Sequence, residues 1–181
     1  MNFSLGAEVD YLTADGEQIH IRPLVDSDLE ALEWEGEFKH FHNLYAQHYA
    51  SSLQGATLIW VAETREKKIV GQVFILLNSK QSDVADGKSR AYLFSFRIRP
   101  QWRNLGIGGY LLNFVENELA SKGFIWLRLN VAKDNPHARR MYEKHGYKVI
   151  GSDPGDWSYQ DDKGVIQHVK EPAWKMIKRL R

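Results

Sequence analysis

Cysteine is absent from the sequence, and charge of neither sign dominates it. Without cysteine the chain has no disulfide scaffold, no thiol nucleophile and no cysteine-ligated zinc site. Its 24 basic residues nearly balance its 23 acidic residues, which gives a formal net charge of +1. A dedicated nucleic-acid-binding protein usually carries a strongly basic face. We therefore expect no nucleic-acid partner.

Long hydrophobic runs are also missing. No stretch has the length and apolarity of a membrane span. The N-terminal stretch MNFSLGAEVDYLTADGEQ contains acidic residues where a signal peptide has an apolar run. We therefore expect no membrane contact and a cytoplasmic location. The 43% of hydrophobic and 26% of charged residues are typical of a globular protein, and a chain of 181 residues suits a single domain, residues 1–181.

The first half of the chain has the patterns of antiparallel strands with helices between them. Ser27 and Glu30 have the spacing of a capping box, and Gly36 interrupts the helix that it would begin. The predicted elements are a hairpin at Asp15-Gly16, a helix from about Asp28, a helix over Phe38–Tyr49, and an antiparallel pair of strands, Leu58–Glu63 and Ile69–Leu77.

The second half alternates strands with helices. The predicted elements are a loop over Ser79–Ser89, a strand Ala91–Arg99, a helix from Gly106 to about Lys122, a strand Phe124–Val131, a helix from Asn135 to Gly146, a strand over 147–151, a loop or loose hairpin over 151–164 and a last strand over 172–180. Antiparallel strands followed by strand–helix–strand units predict an α/β (mixed α+β) fold around a single central sheet.

Three glycines stand where the helix after Ala91–Arg99 begins. Gly106, Gly108 and Gly109 are poor helix formers, but a glycine-rich turn before a helix N-terminus makes a site for an anion. The first amides of a helix have no internal acceptor, and the helix dipole adds partial positive charge. Arg103 supplies a formal positive charge at the edge of this turn.

Two nucleotide-binding motifs do not fit this turn. A P-loop has Lys and then Ser or Thr after its last glycine, whereas Tyr110 and Leu111 follow Gly109. Leu111 also occupies the place of the third Rossmann glycine, and Phe124–Leu129, about twenty residues further on, contains no acidic residue. An enzyme that binds ATP or a dinucleotide, and a tight turn without a ligand, remain as alternatives.

A second segment, NVAKDNPHARRMYEKHGY, follows the glycine turn at a distance of about one helix and one strand. Together the two segments resemble the GNAT superfamily of acyl-CoA N-acyltransferases. The matching positions are Arg103, Gly106 and Gly108 in the first motif and Asn135, Ala138, Tyr142, Glu143, Lys144, Gly146 and Tyr147 in the second. The match begins at about Ile19, so the core is expected at about residues 19–181. The resemblance implies a mixed, mostly antiparallel sheet flanked by helices.

The resemblance also implies a reaction and its site. Acetyl-CoA is the expected co-substrate, and no metal takes part. The residues expected to bind it are Phe96, Ile98 and Arg99 along the pantetheine arm, Arg103, Asn104, Leu105, Gly106, Ile107, Gly108 and Gly109 at the pyrophosphate, Asn135 at the arm and Arg139 at the ribose phosphate. Tyr142 matches the general acid that protonates the leaving thiolate.

The acceptor is expected to be a primary amine, either a small molecule or a protein N-terminus. Its predicted contacts are Trp34, Glu35, Phe38 and Trp157. For Trp34, Phe38 and Phe41 a place in the core is the alternative. The three histidines His40, His42 and His48 lack the spacing of a metal site. Family members are often dimers, so a homodimer is expected.

One feature of the family is missing from the chain. The strand Ala91–Arg99 has no acidic residue to act as general base; Tyr92 and Ser95 occupy that region. A water chain or one of Glu33, Glu35 and Glu37 remains as the base. The missing acidic residue also leaves a second function open, that of a non-catalytic domain that binds acyl-CoA as a sensor.

Overall fold

A single eight-stranded sheet organises the chain. The structure is a computed structural model, and it describes residues 7–180. The strands are β1 (Val9–Leu12), β2 (Gln18–Pro23), β3 (Thr57–Thr64), β4 (Ile69–Leu76), β5 (Arg90–Ile98), β6 (Trp126–Ala132), β7 (Lys148–Asp153), β8 (Asp156–Gln160), β9 (Ile166–Lys170) and β10 (Ala173–Arg179). The large sheet has the order β1-β2-β3-β4-β5-β6-β10-β7, and β8 and β9 form a separate hairpin.

The predicted fold class is confirmed. Neighbouring strands of the large sheet pair antiparallel except β5 and β6, which are parallel. The helices are α1 (His42–Leu53), α2 (Ile107–Ser121) and α3 (Pro136–Lys144). Short 3-10 helices cover Asp26–Glu33, Lys39–Phe41 and Pro100–Trp102. No helix in the described part of the chain is long and apolar enough to cross a membrane.

Helices on both faces of the sheet explain where the core lies. Residues in the middle of β4, such as Val73, Phe74 and Ile75, are fully buried because α2 covers one face and α1 the other. Along α2 the buried positions are Ile107, Leu111, Leu112, Val115, Glu116 and Leu119, which follow the spacing of an amphipathic helix. The predicted inner face of this helix is therefore confirmed.

The segment before α1 differs from the prediction. Asp26–Glu33 is a 3-10 helix rather than an α-helix, and its N-terminus is capped by Asp28, whose carboxylate accepts the amide of Val25 at 2.9 Å. It ends because Trp34 and Glu35 adopt positive φ angles of 47° and 58°. Such angles stop a helix. The second predicted helix begins four residues late, at His42.

The region predicted as a loop or loose hairpin is an ordered hairpin. The side-chain carboxylate of Asp161 accepts the backbone amides of Lys163 and Val165 at 2.9 Å, and Gln167 Nε2 at 2.8 Å. These bonds fix the turn between β8 and β9. Sequence patterns did not indicate β9 because its residues are mostly exposed and show no apolar alternation.

Parallel strands β5 and β6 separate halfway along their length. They pair only from Arg90 opposite Trp126 to Leu93 opposite Leu129. Beyond this point β5 continues to Ile98 with a strand partner on one edge only, the edge that pairs with β4. A register shift between β4 and β5, with Ser95 at a φ of 47°, marks a bulge there. We call the place where β5 and β6 part the split, since the candidate site lies around it.

Candidate active site

The glycine turn at the start of α2 has a conformation that a side chain would disturb. Gly106 caps the helix with a φ of 83°, and Asn104 has a φ of 61°. A Cβ atom on Gly106 would collide with the hydroxyl of Tyr11, which donates to the Leu105 carbonyl at 3.0 Å. The ring of Tyr11 also stacks on Tyr110 at 4.5 Å. Glycine is therefore required at position 106.

Open amides line the N-terminus of α2. The first α-helical bond runs from the Tyr110 amide to the Gly106 carbonyl, at 3.0 Å. The amides of Ile107, Gly108 and Gly109 come before it, so they have no acceptor within the helix. Together with the dipole of a 15-residue helix, they form a site that favours an anion.

Arg103 is engaged inside the turn, whereas the resemblance implies that its backbone amide is open to the pyrophosphate. Its backbone amide donates to the Pro100 carbonyl at 3.2 Å, so this amide is not open to a ligand. Its Nε donates to the Ile98 carbonyl at 2.9 Å. The side chain thereby ties the glycine turn to the end of β5. Its two terminal guanidinium nitrogens take no part in that hydrogen bond.

The unpaired edge of β5 leads to the glycine turn. The Arg99 amide donates to Val70 on β4 at 2.8 Å, so the backbone groups of its neighbour Ile98 point to the other edge, past the split. The Ile98 carbonyl is taken there by Arg103 Nε, whereas the Ile98 amide has no strand partner on this edge. A Cβ atom on Gly108 would lie 3.6 Å from Ile98 and 3.8 Å from Phe96. Phe96, Ile98 and the turn are thus neighbours along one groove at the edge of β5, and their contact with a coenzyme stays a prediction.

Arg99 does not lie along this groove. Its side chain points to the opposite face of the sheet, where Nε donates to the Ile69 carbonyl at 2.9 Å and a terminal nitrogen contacts Glu35 at 2.6 Å. Its guanidinium also lies 5.2 Å from the ring of Trp34. The structure does not support the predicted place of Arg99 along the coenzyme arm. Its amide is bonded to Val70 on β4, and its side chain faces away because successive side chains of a strand alternate between faces.

Tyr142 reaches the split from α3. Its ring lies 6.5 Å from Phe96 and 5.6 Å from Tyr147, and only 7% of the residue is exposed. Burial, with a smaller effect of the nearby Tyr92 phenol, raises the pKa of Tyr142. Burial likewise raises the pKa of Tyr92 to about 12. Both phenols are protonated at neutral pH, so each can donate a proton.

Two other predicted residues on α3 have structural contacts. Asn135 caps the helix as predicted, because its side-chain oxygen accepts the Ala138 amide at 3.1 Å. Arg139 pairs with Glu143 at 2.8 Å, and its guanidinium lies 5.1 Å from the ring of Trp174. Contacts of Asn135 and Arg139 with a coenzyme stay predictions.

On the other face of β5, aromatic side chains from two segments meet. We call Phe38, Phe41, Trp157 and Tyr159 the aromatic wall. The ring of Phe41 lies 4.9 Å from Tyr159 and 6.3 Å from Trp157, so the β8–β9 hairpin packs on the start of α1. Asn43 Nδ2 holds the hairpin by donating to the Asp161 carbonyl at 2.6 Å. The structure thus brings together the two segments expected to bind the acceptor.

The predicted acceptor residues differ in their exposure. Trp157 is 39% exposed on the hairpin and Phe38 is half-buried in the wall. Trp34 is only 6% exposed and packs edge-on against Phe38 at 5.0 Å, so it supports the wall from within the core. Glu35 is exposed, and its hydrogen bond with Arg99 lowers the pKa of its carboxyl group. Its charge is therefore neutralised at neutral pH by an ion pair.

Sequence patterns gave no indication of His48 as a possible proton acceptor. The imidazole lies 4.7 Å from Phe94, just past the split, and 5.8 Å from Phe74. Burial lowers the pKa of His48, so the ring is neutral at pH 7. His48 follows Tyr45 by three residues and therefore lies on the same face of α1. This spacing points to the site only when the position of α1 against β5 is known.

Comparison with known proteins agrees with this geometry. Residues 22–147 match the sequence profile of the acetyltransferase (GNAT) family. A solved chimera of spermidine N-acetyltransferase SpeG from Vibrio cholerae and hSSAT is similar at a TM-score of 0.66 and 18% identity, covering 90% of this chain and 95% of the other. Ard1 from Thermoplasma volcanium is similar at a TM-score of 0.68 and 17% identity, covering 89% and 97%.

A further similar structure is the Vibrio cholerae spermidine N-acetyltransferase in complex with CoA and spermine, with a TM-score of 0.64, 18% identity and coverage of 90% and 95%. At such identities these likenesses concern the fold. The sequence profile covers more than half of the chain, so the protein belongs to the GNAT acetyltransferase family. The predicted family and the predicted class of enzyme, an acyltransferase, are confirmed.

Proposed function

We propose that the protein transfers an acetyl group from acetyl-CoA to a primary amine by direct attack in a ternary complex. The observation that carries this proposal is the unpaired edge of β5 running into the open amides of the glycine turn. A pyrophosphate suits the amides of Ile107, Gly108 and Gly109, and a pantetheine arm suits the strand edge at Phe96 and Ile98 as an added strand.

The residues around the split suit the chemical step. Acetyl-CoA, when bound, supplies an acetyl group activated as a thioester. The amine nitrogen forms a bond to the carbonyl carbon while the carbon–sulfur bond breaks. Tyr142 gives its proton to the departing thiolate, a task for a group that is protonated at neutral pH. A backbone amide of the Phe96–Ile98 edge polarises the carbonyl oxygen.

For the proton that the amine loses, we infer that His48 is the acceptor, directly or through water. A base must be unprotonated before the reaction, and the lowered pKa of His48 meets this requirement at pH 7. Tyr92, with a pKa raised to about 12, is protonated there. Glu35 is held by Arg99 at 2.6 Å and Glu33 by His42 at 2.5 Å, so both carboxylates are already engaged. Glu37, the third acidic candidate, is exposed to solvent and stays an alternative base.

The pH dependence of kcat tests this assignment. Because His48 must be neutral, kcat at saturating amine should fall only as the pH drops below about 6.5, the ordinary pKa of histidine. We expect His48→Gln to lower kcat by roughly 10- to 100-fold and to remove this acidic limb. Glu35→Gln is the matched control and should leave the limb in place. A limb that persists in His48→Gln and disappears in Glu35→Gln would assign the base to Glu35.

Calorimetric titration with acetyl-CoA tests the proposed function itself. We expect acetyl-CoA to bind, whereas ATP and NAD in the same buffer should not bind comparably, since the turn lacks the P-loop lysine and the Rossmann acid. Failure of acetyl-CoA to bind would contradict the proposal. Binding without thiol release on any amine would instead support the alternative, a domain of this fold that senses acyl-CoA.

Partners and location remain predictions. The similar structures include spermidine N-acetyltransferases and Ard1, and the proposed acceptor for this chain is a small amine or a protein N-terminus. No three His, Asp or Glu side chains gather into a potential metal site within residues 7–180. A homodimer, a cytoplasmic location and the lack of a nucleic-acid partner stay expectations from the sequence.

A further inference from the structure

Several carboxylates beside the aromatic wall are already engaged. Glu33 pairs with His42 at 2.5 Å and Glu35 with Arg99 at 2.6 Å. Asp161 accepts three hydrogen bonds within the turn of its own hairpin. An acceptor with a second positive charge would meet few free acids here. The exceptions are Asp162, close to Tyr159, and the solvent-exposed residues Glu37 and Asp156, the latter next to Trp157 in β8.

Arg97, in contrast to these carboxylates, has no partner of opposite charge among the described residues. Its guanidinium lies 4.2 Å from the ring centre of Phe38 and 5.5 Å from that of Phe41, so it packs against the aromatic wall. One terminal nitrogen donates to the Tyr45 hydroxyl at 2.8 Å and to Ser95 Oγ at 3.0 Å. Within the described part of the chain, no carboxylate lies within 4.0 Å of it.

The remaining donors of Arg97 are free to bind an anion. A guanidinium has five N–H groups, and its planar fork matches a carboxylate. Tyr45 and Ser95 fix the orientation of this fork, and the rings of Phe38 and Phe41 remove water from its faces. A half-buried, oriented guanidinium binds a carboxylate more strongly than one in bulk water.

The position of Arg97 suits recognition of the acceptor. It lies between Phe96 and Ile98 in β5 and projects from the other face of the sheet, where the wall stands. A molecule that enters along the wall can therefore place an amine at the split while its other end reaches Arg97.

We propose that Arg97 binds a carboxylate of the acceptor, so that the substrates are primary amines that carry a carboxylate rather than polyamines. This inference rests on the proposed acetyl transfer. The carboxylate belongs either to a free amino acid or to a residue near the N-terminus of a peptide. Both sources present the same group to the guanidinium, and the experiment below separates them.

A panel of matched amines with acetyl-CoA tests the proposal by thiol release. Each chain length has a carboxylate, a neutral and a diamine form: β-alanine with propylamine and propanediamine, and γ-aminobutyrate with butylamine and putrescine. We expect kcat/KM of the best carboxylate form to exceed that of its diamine by about 10-fold or more, because two charge-assisted hydrogen bonds are gained. The peptide amides Ala-Glu-NH2 and Ala-Gln-NH2 distinguish a peptide source from a free amino acid.

Single substitutions test whether the preference for carboxylate-bearing amines depends on Arg97. Arg97→Gln should raise KM for the carboxylate forms by about 10- to 100-fold and leave the neutral amines unchanged. Arg65→Gln removes the same charge from an exposed site far along the sequence and is the matched control. Asp162→Asn should not alter the preference. Circular dichroism checks that Arg97→Gln is folded.

Three outcomes would overturn the proposal. One is a wild-type preference for the diamines that Asp162→Asn removes. Another is an equal loss for all amines in a folded Arg97→Gln protein, which would make Arg97 purely structural. The third is that acetyl-CoA binds normally but none of the carboxylate amines or peptides binds to the loaded protein by calorimetry. If acetyl-CoA itself does not bind, the proposed function fails instead, and the two failures are thus distinguishable.

Discussion

Replacement of Tyr142 by phenylalanine is expected to lower kcat by roughly 100-fold or more. The variant keeps the ring, which lies 6.5 Å from Phe96, and removes only the hydroxyl that donates the proton. Without it the thiolate must leave unprotonated or take a proton from water. The measurement is thiol release at saturating acetyl-CoA and amine, across a range of pH.

The pH dependence of the rate provides a second test of Tyr142 as the general acid. An acid must be protonated to act, so the rate falls as the pH rises through its pKa. Burial raises the pKa of Tyr142 above the ordinary phenol value of about 10, and the alkaline limb is therefore expected above pH 10. The limb should be absent in Tyr142→Phe.

Tyr147 provides the matched control. It is also buried, and its hydroxyl donates to Glu116 at 2.9 Å, away from the groove. Tyr147→Phe should lower the free energy of unfolding by about 1.5–3 kcal/mol, the worth of a hydrogen bond to a charged group, and leave kcat unchanged. Both variants should bind acetyl-CoA like the wild type. A Tyr142→Phe enzyme with the wild-type rate at every pH would remove Tyr142 from the mechanism.

The glycine turn and its helix were predictable because their signals are local. Asn135 as an N-cap and Gly106 before α2 each follow from the preferences of short stretches of chain. The split could not be predicted from periodicity, because it depends on a bulge at Ser95 and on which strands pair.

The surroundings of other residues depend on long-range contacts, which sequence patterns do not reveal. The sequence predicts Arg99 along the arm with Phe96 and Ile98, but its side chain faces the other way. It is buried against a turn more than sixty residues away in sequence. Trp34 ends a 3-10 helix with a positive φ, which no local pattern signals. Tyr11 supports the turn across 94 residues. Contacts of this kind are set by the tertiary structure.

Replacing Gly108 by glutamate is expected to weaken acetyl-CoA binding by at least about 100-fold, because a like charge beside the pyrophosphate costs several kcal/mol. The Cβ atom would point toward Ile98 and Phe96, at 3.6 and 3.8 Å, so the longer side chain would extend into the groove. It would also place a carboxylate beside the amides at the start of α2. Calorimetric titration of the variant measures the loss directly.

Gly108→Ala separates the effect of charge from an effect on folding. The distances to Ile98 and Phe96 are ordinary van der Waals contacts, and Gly108 does not need a positive φ, so alanine fits without strain. The alanine variant should therefore fold and bind acetyl-CoA with at most a small loss. Gly108→Glu itself should keep its thermal midpoint, since a carboxylate near a helix N-terminus is favourable without the ligand. A glutamate variant that is folded and binds acetyl-CoA like the wild type would show that the pyrophosphate does not lie on this turn, and the open edge of β5 would then need another occupant.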